Sequence, residues 1–220
     1  MESHCIKGNF TVIPNAIDTS IFYPAPCKDR DKNVKKIITV ARLTPDKGIG
    51  NLLKALKEVK NKRNDFFLDI IGDGQSRHDF EKMAAELDLS LQVRFLGNKD
   101  KGEVAEMMRK SDFFVLPTHH HETFCCVFAE AIACGLPIIG TTAWAVPEFF
   151  GKPEFGILVP PKNIDRLAQA IDYMLDNYQQ YDSVKISQYA RENFGHNAVG
   201  GKLTAIYRQT VLKSQEADIQ

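Results

Sequence analysis

Phe113-Phe114-Val115-Leu116-Pro117 runs through the polar residues Thr118-His119-His120-His121-Glu122-Thr123 into Phe124-Cys125-Cys126-Val127-Phe128-Ala129-Glu130-Ala131-Ile132-Ala133-Cys134-Gly135. The apolar run reads as a strand buried on both faces, the kind found in parallel sheets. The second apolar segment is spaced as a helix from about Phe124 to Ala133, and Gly135 is placed to end it just past its C-terminus. Strand, polar loop and helix in succession are one βα unit. Its loop lies at the carboxyl end of the strand, where open α/β sheets bind ligands.

The same alternation continues on both sides. Upstream, Lys36 to Ala41 is β-branched and Ile49 to Val59 carries helical spacing. Phe67 to Ile71 is extended and ends at Gly72-Asp73-Gly74, Ser76 to Leu87 is helical, Leu91 to Leu96 a strand and Lys101 to Met108 a helix. Downstream come a strand at Pro137 to Gly140, a short segment at Glu148, a strand at Gly156 to Val159 and a helix from Ile164 to Leu175. The stretch from Ser183 to Leu212 is helical with a break between Asn193 and Gly201. Repeated βα units predict a Rossmann-like α/β domain, a parallel sheet with helices on both faces, and we read the 220 residues as one such domain. Pro24, Pro26 and the charged stretch Lys28 to Lys36 read as a surface connector. Val184, Tyr189, Leu203, Ile206 and Tyr207 need a partner surface that the sequence does not identify.

The 28 basic and 28 acidic residues cancel, so no global field draws the chain to nucleic acid or to an anionic membrane. Phosphate recognition must be local. The five cysteines, Cys5, Cys27, Cys125, Cys126 and Cys134, are odd in number and contain no CxxC pair, so they read as small apolar packing residues in a reducing compartment. The first residues lack a basic stretch followed by an apolar one, and no later run is long enough to span a bilayer, which predicts a cytoplasmic protein.

Glu122 and Glu130 are the candidate ligand-binding acids. On a helix they lie roughly 12 Å apart along the axis at ~1.5 Å per residue, about the length of a nucleotide sugar from hexose to ribose. The free amides of Phe124, Cys125, Cys126 and Val127 in the first turn would favour a phosphate between them. Spacing alone is equally met by two solvated acids on a surface helix. Arg42 and Lys47, in Val40-Ala-Arg-Leu-Thr-Pro-Asp-Lys-Gly48, fall at the same sheet edge and suit a diphosphate as a planar fork and a point charge; a solvated loop with Asp46 paired to Lys47 fits as well. Gly74 brings backbone close to something but lacks the glycine spacing of a dinucleotide fingerprint. His119, His120 and His121 diverge as neighbours and lack the Cys or carboxylate spacing of a closed zinc site, so no metal is assigned, although one of them could bond a substrate hydroxyl. Phe22 and Trp144 read as core or pocket-wall aromatics, with Trp144 also placed to act as a lid over a ligand.

Val12-Ile-Pro-Asn-Ala-Ile-Asp18 with Phe22-Tyr-Pro24, Ala41 to Gly48, Gly72 to Gly74, Val93-Arg-Phe-Leu-Gly97, Ser111 to Pro117, Glu122 to Glu130, Ala133-Cys-Gly-Leu-Pro137, Pro147-Glu148 and Gly156-Ile-Leu-Val-Pro160, in that order, resemble glycosyltransferase family 4. The resemblance implies a retaining, metal-independent sugar transferase of GT-B architecture that needs no cofactor, of which this chain is similar to the C-terminal, donor-binding half, with the N-terminal acceptor domain absent. It implies that Arg42 and Lys47 clamp the donor diphosphate and that Glu122 meets donor-sugar hydroxyls. The amides of Phe124 to Cys126, with Val127 beside them, would hold sugar or phosphate, Glu130 the ribose hydroxyls, and the backbone of Arg94, Phe95 and Leu96 the base, with Gly74 also among the donor-binding residues. The implied donor is a UDP- or GDP-type sugar. The implied acceptor is a glycan or lipid-linked glycan held by the missing domain, with peripheral membrane contact in a full-length protein and no nucleic acid. The sequence departs from the family where Ala16 and Cys125 stand for Gly and where Ala145-Val146 stand for Gly-Gly. The competing readings are a nucleotide-sugar epimerase and a non-catalytic nucleotide-sugar binding subunit.

Overall fold

In the computed structural model, which describes residues 10–25, 34–120 and 122–217, with backbone alone for 212–217, six parallel strands form one sheet. The strands are β1 (Lys35–Val40), β2 (Phe66–Ile71), β3 (Val93–Phe95), β4 (Phe113–Val115), β5 (Ile138–Thr141) and β6 (Gly156–Val159). Their spatial order is β3-β2-β1-β4-β5-β6. The helices are α1 (Ile49–Lys60), α2 (Arg77–Glu86), α3 (Lys101–Lys110), α4 (Cys126–Ala133), α5 (Val146–Phe150), α6 (Ile164–Asn177), α7 (Ser183–Phe194) and α8 (His196–Ala217). Right-handed crossovers put α1 and α2 on one face and α3, α4 and α5 on the other. α6 then returns to pack on α1, and α7 packs on α4.

Burial on both faces explains the apolar strands. Ile37, Ile38, Leu68, Ile70, Phe113, Phe114, Ile138 and Ile139 are sealed between the helix layers. Helices fit the strands because their apolar positions recur at helical spacing, as in Leu52, Leu53, Leu56 and Val59 of α1. α3 begins with a capping box in which Asp100 and Glu103 satisfy each other's backbone amides. Phe22 belongs to this core.

Element boundaries moved where side chains were better used elsewhere. The strand expected from Leu91 starts at Val93, because Leu91 stands in a turn and is exposed. The helix expected from Phe124 starts at Cys126, because Cys125 takes the left-handed conformation at φ 64 and Phe124 turns into an aromatic cluster with Phe149, Phe150 and Phe194. Gly135, at φ 73, follows its end as expected. The C-terminal break falls at Gly195. There the amide of Ile17 bonds the Phe194 carbonyl at 2.8 Å, and Arg109 bonds the Ile21 carbonyl at 3.0 Å and covers Tyr23, so the segment before the connector lies against α3 and the α7–α8 junction.

Of the cysteines, Cys134 is buried, Cys125 is intermediate and Cys126 is exposed, so Cys126 is not the packing residue expected of it. Cys5, Cys27, His121 and most of the charged connector lie outside the described residues. Among the described residues no helix is long and apolar enough to cross a membrane.

Candidate active site at the sheet switch point

β1 is hydrogen-bonded to β2 on one side and to β4 on the other, so strand order reverses between β1 and β4. Loops that leave these two strands diverge to opposite faces, and the crevice between them is where open α/β sheets hold ligands. A cavity of ≈ 360 Å³ opens there. Val40, Ala41, Arg42 and Lys47 line it from the β1 side, and Leu116, Glu122 and Cys125 to Val127 from the β4 side.

The two loops are held close by Gly48. It takes φ 75, and a Cβ built there would overlap the carbonyl oxygen of Pro117, so only glycine permits this approach. Gly74 serves from behind: its missing Cβ makes room for the Leu43 carbonyl, and its amide bonds the Asp73 carboxylate at 2.8 Å. It supports the Arg42 loop rather than lining the cavity.

Lys47 and Glu122 form an ion pair across the cavity wall, with side chains 19% and 11% exposed. Lys47 therefore pairs with Glu122 and not with Asp46. The Thr118 hydroxyl donates to the same Glu122 oxygen at 3.1 Å, and the Thr118 carbonyl accepts from Thr141 at 2.6 Å. This chain of bonds fixes Glu122 relative to β4 and β5. Arg42 is exposed, and its guanidinium has no partner among the described residues, so its fork is available to an anion.

Phe124 and Cys125 precede α4, leaving Cys126 and Val127 as its first helical residues. Within the described residues, the amides from Phe124 to Val127 find no backbone acceptor; the first one in the run that does belongs to Phe128, bonding the Cys125 carbonyl at 3.0 Å. They form the electropositive end of the helix beside Arg42. Burial, and then the Glu122 charge, push the Cys125 thiol well above its ordinary range, so it stays protonated. The Cys126 sulfur accepts from the Asn15 side chain at 3.4 Å.

Glu130 lies one turn further along α4, outside the cavity lining. Burial pushes its carboxyl up to about 7, offset in part by Lys101. Its carboxylate has no hydrogen-bond donor among the described residues. Arg94 is further off: its guanidinium bonds both oxygens of Asp69 at 2.7 and 2.8 Å and lies over Phe67 at 4.6 Å. The Leu96 amide is taken by the Ile70 carbonyl at 2.9 Å, and Phe95 is paired within the sheet. The structure thus brings Arg42, Lys47, Glu122, Cys125, Cys126 and Val127 together, with Phe124 adjoining through its backbone. Arg94, Phe95, Leu96, Gly74 and Glu130, also expected at the site, are not among the residues that line this cavity.

Thr118 and Asn15 were not among the expected site residues. Thr118 could have been found as a polar residue at the end of an apolar strand, four before Glu122. Asn15 carries no local signal, because a fold contact across 111 positions brings it to Cys126. Trp144 was expected in the core or a pocket wall, or as a lid over a ligand; it is 58% exposed, outside the core, and takes φ 53. A left-handed conformation costs a non-glycine residue about 1 kcal/mol. Ala145, at φ −78, is unstrained, so the position that suits glycine is Trp144 rather than Ala145 or Val146.

The same chain pattern is found in known proteins. It is 30% identical over 183 residues to a GDP-mannose-dependent monoacylated alpha-(1-6)-phosphatidylinositol monomannoside mannosyltransferase of Corynebacterium glutamicum, covering 76% of this chain and 47% of that protein. It is 27% identical over 206 residues to the MMP alpha-(1->4)-mannosyltransferase of Mycolicibacterium hassiacum, covering 92% and 49%. Among solved structures, a sucrose-phosphate synthase from Thermosynechococcus elongatus superposes with a TM-score of 0.83 at 24% identity over 94% of this chain and 54% of that one. HepE from Anabaena, solved with UDP and glucose, gives 0.78 at 20% over 90% and 57%. These structures share the fold. The chain spans about half the length of the two curated relatives. A family model described as "Glycosyl transferases group 1" matches residues 27–193, three quarters of the sequence, and the chain belongs to that family.

Proposed function

We propose that the cavity between β1 and β4 binds the diphosphate and sugar of a nucleoside diphosphate sugar, and that this chain is the donor-binding part of a retaining, metal-independent glycosyltransferase. The observation that carries this reading is the convergence of Arg42, Lys47, Glu122 and the free amides before and within the first turn of α4 on one cavity. As the bond from the anomeric carbon to the diphosphate breaks, negative charge grows on the leaving oxygen. The α4 amides and the partnerless Arg42 fork face it, the Lys47 ammonium joins them once released from Glu122, and such groups stabilise the transition state more than the ground state. Donor arrival divides the Lys47–Glu122 pair. Lys47 turns to phosphate, and Glu122, still held by Thr118, accepts from sugar hydroxyls.

Glu130 takes the ribose hydroxyls, and the nucleoside lies towards Leu96 at the end of β3. A UDP- or GDP-type donor accords with the relatives, one named for GDP-mannose and one solved with UDP. The acceptor is a glycan or glycolipid bound by a second half, because the chain spans 32% to 49% of the length of its first curated relatives. The exposed α8 residues Leu203, Tyr207 and Val211 offer that half a surface. Cytoplasmic residence with peripheral membrane contact completes the reading.

Calorimetric titration with UDP, GDP and ADP, without metal, tests it. The wild-type chain is expected to bind one diphosphate saturably, and Arg42→Ala/Lys47→Ala is expected to abolish binding while remaining folded. Equal binding by the double variant would refute the assignment.

A further inference from the structure

We infer that Trp144 is the platform for the sugar ring, laying its indole against the apolar face of the hexose in a nucleoside diphosphate sugar and so setting which glycosyl group the site accepts. The inference rests on the donor-site reading above. Three observations converge. Trp144 is 58% exposed in a chain whose other large aromatics pack mostly into the core. Its φ of 53 is a conformation bulky residues avoid, and such strain persists where the surroundings impose it, commonly at functional sites. The next amide, that of Ala145, bonds the backbone carbonyl of Glu122 at 3.2 Å.

That last bond gives the strained loop its location. Glu122 lines the cavity, so the Trp144 backbone stands one residue from a direct tie to a cavity residue. The loop is braced elsewhere too: the Thr142 amide bonds the Val159 carbonyl at 2.9 Å, and the Val146 amide bonds the Ala143 carbonyl at 3.2 Å. Trp144 is therefore held in a loop tied to the Glu122 backbone, next to the residues that line the cavity rather than among them. A carboxylate for hydroxyls and an indole for C–H groups match the two sides of a pyranose, whereas neither group suits a phosphate.

The chain contains a single tryptophan, so its fluorescence reports this site alone. Emission is followed while the chain is titrated with UDP, GDP, UDP-glucose, UDP-N-acetylglucosamine and GDP-mannose, with calorimetry in parallel on wild type, Trp144→Phe and Trp144→Ala. A sugar nucleotide is expected to change the emission beyond its free diphosphate. Trp144→Ala is expected to weaken that sugar nucleotide about 3- to 10-fold, the range of one aromatic contact, and Trp144→Phe much less. Affinity for the free diphosphate is expected to stay at the wild-type value, which also shows that the variants fold. Diphosphate binding with no added effect of the sugar on emission, or unchanged sugar-nucleotide affinity in Trp144→Ala, overturns the inference alone. No binding of any diphosphate by wild type overturns the donor-site reading and this inference with it.

Discussion

Glu130 shows how burial of one carboxyl makes stability depend on pH. Its carboxyl is pushed up to about 7 by burial, above the ordinary 4.5 it keeps in the unfolded chain. Between those values the folded chain holds more protons, so this contribution to stability is complete below the lower value and is lost as pH rises through the upper one. Glu130→Gln removes the penalty of the buried charge. It is expected to be more stable than wild type by roughly 1–3 kcal/mol at about pH 8 and by little at about pH 5, as read from urea midpoints. If ribose hydroxyls donate to this carboxylate, wild-type affinity for a nucleotide sugar rises through about pH 7 and that of Glu130→Gln stays low and flat. The diphosphate of a sugar nucleotide is doubly esterified and does not titrate there, so the pH profile belongs to the protein.

Loops and their helices are joined by small numbers of packing contacts. Phe124 ties the loop before α4 to α5 and α7 through rings 4.9 to 5.8 Å apart, and it is buried. Phe124→Ala is expected to cost about 3–5 kcal/mol and to weaken diphosphate binding as well, which melting and calorimetry read separately. Gly48→Ala adds a methyl group into the Pro117 carbonyl in a left-handed conformation. We expect a loss of about 1–3 kcal/mol together with weaker anion binding, because separating the β1 and β4 loops parts Lys47 from Glu122. At the opposite sheet edge, Arg63 bonds Asp65 at 2.7 and 2.9 Å and reaches Asp176 on α6 at 2.8 Å. The Arg63 guanidinium, aided by Lys35, holds the Asp65 carboxyl far below its ordinary 3.8. This stabilisation is present above that ordinary value and disappears as pH falls below it. Arg63→Ala should therefore be destabilised at neutral pH and approach wild type in acid.

For the whole molecule, the proposed function makes donor binding and turnover separable. The cavity lies within this chain, whereas transfer requires an acceptor and exclusion of water from the leaving group. We expect the isolated chain to bind a diphosphate and to transfer sugar to a glycan or glycolipid acceptor slowly or not at all. Adding an acceptor-binding half should restore transfer, as read by product formation from a radiolabelled donor. The exposed positions of α8, with Tyr207 at 67%, then become protected in hydrogen exchange or labelling.

The sequence by itself determined the sheet, because strands buried on two faces must be continuously apolar and helices between layers must be periodic. Phe113 to Leu116 and Leu52 to Val59 carry those demands locally. Arg42, Lys47 and Glu122 were legible for a related reason, since polar residues just after apolar strands fall at one sheet edge. The tertiary structure alone decided their partners: Lys47 pairs with Glu122 across 75 positions and not with its neighbour Asp46. It also decided that α4 begins at Cys126, because Phe124 is drawn to rings on α5 and α7, and that Trp144 stands outside the core. Periodicity reports which face a residue occupies. Pair choice, left-handed strain and the protonation of Glu130 arise from groups distant in sequence, and no local pattern encodes them.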